Sequence, residues 1–91
     1  MPIGSNSMVT SEQIKMARAA LGWSIDTLAK RSEVGVRTIN RIEAQNGLPK
    51  ATTANLKIIR LTLEQAGVEF IGSADEGPGV RLWKRKNNLS I

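Results

Sequence analysis

A chain of 91 residues has room for one compact domain and none for a second, catalytic one. It contains no cysteine and no histidine, so disulfides, thiol chemistry, soft-metal sites and the usual proton shuttle near neutral pH are excluded, and neither a metal nor another cofactor is expected. The net charge of +5 favours a polyanionic partner.

Residues 1–9 read as a disordered leader: they carry neither the charged start nor the apolar run of a signal peptide, and Met8 would serve as a start. Thr10 and Gln13 have the spacing of a capping box ahead of the stripe Ile14, Ala17, Leu21, which predicts a first helix over about Ser11 to Leu21, stopped by Gly22. Ser24 is a good N-cap, Asp26 lies where the helix dipole favours a negative charge, and Ile25, Leu28 and Ala29 give an apolar side to a short second helix ending near Arg31. Gly35 then permits a turn or a cap. In the third helix, about Val36 to Ala44, Ile39 and Ile42 sit three apart and point inward, which turns Val36, Arg37, Asn40, Arg41 and Ala44 outward.

Gln45 to Lys50, with Asn46, Gly47 and Pro49, reads as a loop. A fourth helix from about Thr52 carries the stripe Leu56, Ile59, Leu63, Ala66 and is closed by Gly67. Ile58 and Leu61 fall off that stripe, so a second surface is expected to pack there. Val68–Ile71 and Val80–Trp83 are short β-prone runs around Gly72, Gly77, Pro78 and Gly79, a hairpin or strand pair that must pack on the fourth helix or on a second subunit, because an isolated hairpin is marginal in water. The domain plan is therefore a leader at 1–9, a helical domain at 10–67, a β element at 68–83 and a basic, loose tail at 84–91. The fold class is mainly α, four helices with a small C-terminal β element.

Three residues between helices two and three, with apolar anchors at Leu28, Val34, Ile39 and Ile42, have the spacing of a helix-turn-helix. From Arg18 to Pro49 the chain resembles the Xre and phage-repressor (Cro/C1-type) family of transcriptional regulators: Arg18, Leu21-Gly22-Trp23-Ser24-Ile25-Asp26-Thr27-Leu28-Ala29, Val34-Gly35-Val36-Arg37-Thr38-Ile39-Asn40-Arg41-Ile42-Glu43, then Pro49. The resemblance implies a lambda-repressor-like bundle whose third helix enters the major groove of double-stranded DNA. It implies base contacts at Val36, Arg37, Asn40 and Arg41, with Arg suited to guanine and Val to a thymine methyl. It also implies a structural ion pair between Arg18 and Glu43. Where many relatives have a phosphate-holding Gln at the start of the second helix, this chain has Ile25, which leaves Ser24, Lys30, Thr38, Asn46 and Lys50 as backbone anchors.

A homodimer on a palindromic operator is expected, with Ile58, Leu61, Val68, Phe70, Val80 and Leu82 as contacts, and the protein is expected in the cytoplasm, since no apolar run is long enough for a membrane. Catalysis has little support. Asp75 and Glu76 lack a base or nucleophile beside them, and Gly77-Pro78-Gly79 has no following Lys-Ser or Lys-Thr and no amide hydrogen at Pro78 for a phosphate cradle. The competing reading is an antitoxin or protein-interaction module on the same fold, with a toxin or other protein as partner.

Overall fold

The computed structural model describes residues 9–83, with four helices followed by a hairpin: α1 (Ser11–Leu21), α2 (Ile25–Ser32), α3 (Val36–Glu43), α4 (Thr53–Gln65), β1 (Val68–Ser73) and β2 (Glu76–Leu82). The basic tail and all of the expected leader up to residue 8 lie outside the described residues. Val9 departs from the expected leader, because its side chain is buried in the core beside the start of α1. None of the described helices is long and apolar enough to cross a membrane.

Local chemistry sets the helix ends. The Thr10 hydroxyl accepts from Gln13 N while Gln13 Oε1 accepts from Thr10 N at 2.9 Å, which completes the capping box. Gly22 ends α1 at φ 70°, a left-handed conformation that costs glycine nothing and other residues roughly 1–2 kcal/mol. Ser24 caps α2 through Thr27 N at 3.0 Å, and Thr52 caps α4 through Asn55 N at 3.2 Å.

The three-residue turn between α2 and α3 takes its left-handed residue at Glu33 (φ 66°), with Gly35 serving as the N-cap of α3 in extended conformation. Buried Ser32 holds this turn: its Oγ donates to Leu28 O at 2.7 Å and accepts from Val34 N at 3.2 Å.

The core is aliphatic. Ile14, Ala17, Leu28, Ile39, Ile42, Ile59 and Leu63 are fully or almost fully buried, joined by Val9, Val34 and Val68, with Trp23 and Phe70 half-buried at its margin. Each buried Leu or Ile contributes about 1.5–3 kcal/mol relative to an exposed one. Together these residues seat α3 and α4 on α1, and α2 on α3 and α4.

Both strands run further into the Gly/Pro segment than β propensity predicts. Val68 pairs with Leu82 and Phe70 with Val80, and the register shifts between Ile71 and Ser73. Gly72 sits at that irregularity with φ 76°, and a Cβ there would collide with the Gly77 backbone and lie 2.7 Å from Glu76 O, so no side chain fits. Pro78 is tolerated within β2 because each strand of a two-stranded sheet has a free edge. β1 packs on α4, as expected, and β2 packs chiefly on α1. The tie is Gln13, whose Nε2 donates to Ile71 O at 2.9 Å and to Gly79 O at 3.0 Å. One buried amide therefore caps α1 and holds both strands.

Candidate nucleic-acid interface

The eight residues of α3 divide sharply between two faces. Ile39 and Ile42 are buried, and on the far side Val36 is 39% exposed and Arg37, Asn40 and Arg41 are exposed as well. Gly35 at the N-cap makes no side-chain hydrogen bond to the first turn of the helix.

Three ties fix the inner face to α1. Arg18 donates from Nε to Glu43 Oε2 and from one terminal nitrogen to Glu43 Oε1, both at 2.8 Å, in a two-pronged pair; its other terminal nitrogen donates to Trp23 O at 3.0 Å. The bonds to Glu43 raise the Arg18 pKa above its ordinary value, so the guanidinium keeps its charge. Ser11 Oγ donates to Ile42 O at 2.7 Å, satisfying a carbonyl of the last turn of α3. After α3 the loop is pinned at Gly47, whose O accepts from Ser11 N at 2.8 Å and whose N donates to Glu12 Oε1 at 3.0 Å. Hydrogen bonds from its own backbone N–H and then from Gly47 hold the Glu12 carboxyl below the usual carboxylate range.

The electrostatics of the outer face follow from which charges are already paired. Among the described residues the ion pairs are Arg18–Glu43, Arg60–Glu64 at 2.8 Å and Arg81–Glu69 at 3.3 Å. Arg31 lies over the Trp23 ring, 4.9 Å from its centroid. Arg37 and Arg41 are engaged by none of these carboxylates, so their charge points into solvent from the exposed side of α3.

The expected backbone anchors fall into distinct settings. Ser24 is exposed at the start of α2; its hydroxyl accepts from Thr27 N and shares a second bond with the Thr27 hydroxyl, which leaves it one further hydrogen-bonding position. Lys30 shares an open groove between α2 and α3 with Asp26, Glu33 and Val36, so its charge is partly offset. Thr38 is half-buried, and Asn46 and Lys50 are exposed on the loop after α3.

Of the six expected dimer contacts, Ile58, Leu61 and Leu82 are 44–46% exposed. Val68 is 3% exposed inside the core, and Phe70 and Val80 are half-buried against it, so the chain itself accounts for most of their burial. Apolar residue type alone does not tell whether Val68 packs on its own core or on a second subunit, and the contact with α4 decides for the core.

A helix-turn-helix family profile matches residues 14–59, from the first turn of α1 to the middle of α4, just over half of the chain. The chain belongs to the helix-turn-helix family of Xre and phage-repressor regulators. This helix-turn-helix protein is thereby placed among DNA-binding regulators, a family that is generally not enzymatic. Its α2 and α3, joined by the three-residue turn, are the helix-turn-helix pair. No curated protein sequence matches the chain closely enough to count as a relative.

The structure also brings forward two residues that sequence reasoning passed over. Ser32 organises the turn of the motif, and Gln45, just past α3, bonds to both Arg41 and Lys50. Serine after a helix and glutamine in a loop are too common in proteins to single out by residue type alone.

Proposed function

We propose that this protein is a transcriptional regulator that binds a specific site in double-stranded DNA by laying the outer face of α3 in the major groove. The supporting observation is the division of α3: two isoleucines are committed to the core, while Arg37, Asn40 and Arg41 are exposed and no described carboxylate engages the two arginines. A guanidinium donates two parallel hydrogen bonds to guanine O6 and N7, and Val36 can meet a thymine methyl. Ser24 and Lys50 would anchor phosphates, which fixes register without reading sequence. Thr38, Asn46 and Lys30 are secondary anchors. Occupying an operator with such a domain suits a repressor or autoregulator. The guanidinium and amide groups of this face match base edges in the groove, which favours DNA over a docked toxin or other protein.

Selecting bound sequences from a random duplex pool tests this reading. The wild-type protein should enrich a site containing guanine, and Arg37→Ala should relax preference at one base pair while costing ~1–3 kcal/mol of affinity. An unchanged sequence profile for Arg37→Ala would show that this arginine does not read a base.

The protein would act as a two-fold dimer, with Ile58, Leu61 and Leu82 supplying apolar surface that the chain itself leaves open. Such pairing matches a palindromic operator whose half-sites are separated by about 34 Å, one turn of duplex. Sedimentation at micromolar concentration should give twice the chain mass, and Leu61→Asp should return it to the single-chain value. A wild-type protein of single-chain mass would remove the dimer.

A further inference from the structure

We infer that Gln45 is a positioning residue for phosphate binding, holding the Lys50 backbone at a fixed place relative to α3; the inference rests on the DNA-binding reading above. Gln45 follows Ala44, the C-cap of α3. Its Nε2 donates to Arg41 O at 3.1 Å, one of the carbonyls that the end of a helix leaves without an internal partner. Its Oε1 accepts from Lys50 N at 2.8 Å. The further approach of Nε2 to Lys50 O, at 3.4 Å, is too long to add much.

One amide thus joins the backbone of the helix that reads bases to the backbone of the lysine assigned to phosphate. The middle of the same loop is held separately, at Gly47, by Ser11 and Glu12 of α1, and Pro49 is buried. Lys50 itself is exposed on a flexible side chain, so a fixed backbone narrows the region its Nζ can reach. Fixing the backbone lowers the ordering cost of the contact and decides which phosphate the ammonium meets when α3 is seated. Charge alone would attract Lys50 to the duplex, and the Gln45 bonds give that attraction a register.

The test is a double-mutant cycle on the full chain, read as the dissociation constant for a fluorescent random-sequence duplex across a salt series. Lys50→Ala should weaken binding several-fold and flatten the logarithmic salt dependence by about 0.9, one phosphate contact. Gln45→Ala, and Gln45→Met as a variant of similar size, should each weaken binding in the wild-type background and leave it within two-fold, an order-of-magnitude bound, once Lys50 is already alanine. The sequence profile and the thermal midpoint should stay at wild-type values, which a loss of folding would not allow. Equal losses in both backgrounds, or wild-type binding by Gln45→Ala, would overturn the assignment. If the wild-type protein bound no duplex at all, the DNA-binding reading would fall and this inference with it, whereas a Lys50 effect without a Gln45 effect would remove the inference alone.

Discussion

Arg18→Ala is expected to destabilise the fold by ~3–5 kcal/mol, the cost of leaving one partner of a largely buried ion pair unmatched. Glu43 is 7% exposed and is the last residue of α3, where the helix dipole already disfavours a negative charge. Removing the guanidinium strands that carboxylate and also leaves Trp23 O without its donor at the α1–α2 junction. For a domain of this size the loss corresponds to a fall in thermal midpoint on the order of 15 °C or more. Glu43→Gln in the Arg18→Ala background removes the unmatched charge and should recover part of the loss, giving a favourable coupling between the two changes. Thermal and urea unfolding would read this, and a loss within about 1 kcal/mol for Arg18→Ala would show that the pair does not lock α3 to α1.

The second large effect is expected at Gln13. Replacing it with alanine takes the partner from Thr10 N, from Ile71 O and from Gly79 O at once, in a site that is 1% exposed. A buried polar group left unmatched costs about 1–3 kcal/mol, so a total of about 2–4 kcal/mol is expected once some of the carbonyls find water. Gln13→Glu should be worse, since it turns the donor facing two carbonyl oxygens into an acceptor carrying charge. The hairpin should loosen first, because that amide is its side-chain hydrogen bond to α1. Hydrogen exchange would show faster exchange in β1 and β2 than in α3. Uniform acceleration across all elements would instead assign Gln13 a role in α1 alone.

Much of the helical half could be read from residue types because its signals are local. A capping box at Thr10 and Gln13, a glycine after Leu21, a serine before α2 and two isoleucines three apart each act within one turn of helix, and each appears where expected. The Arg18–Glu43 pair, 25 positions apart, came from the resemblance to the family, and the structure shows it directly. What could not be read was long-range. Val9 precedes any periodic pattern, so nothing in its surroundings shows that α1 brings it into the core. Gln13 looks complete as a capping residue, and its other two bonds go to strands 58 and 66 positions away. The strands outran their expected limits because Gly72, Gly77, Pro78 and Gly79 usually interrupt a sheet, whereas here the bulge needs the first and the free edge accepts the others.

The ties that hold α3 spare its outer face. Two isoleucine side chains, the carboxylate of its last residue and the carbonyl of Ile42 do the anchoring, and none of Val36, Arg37, Asn40 or Arg41 lends a side chain to that work. In the proposed reading, target preference and mechanical integrity are therefore stored in separate sets of atoms. On that reading the four outer side chains would be open to rewriting, by drift or by design, to address a new operator while the scaffold beneath them stays as it is.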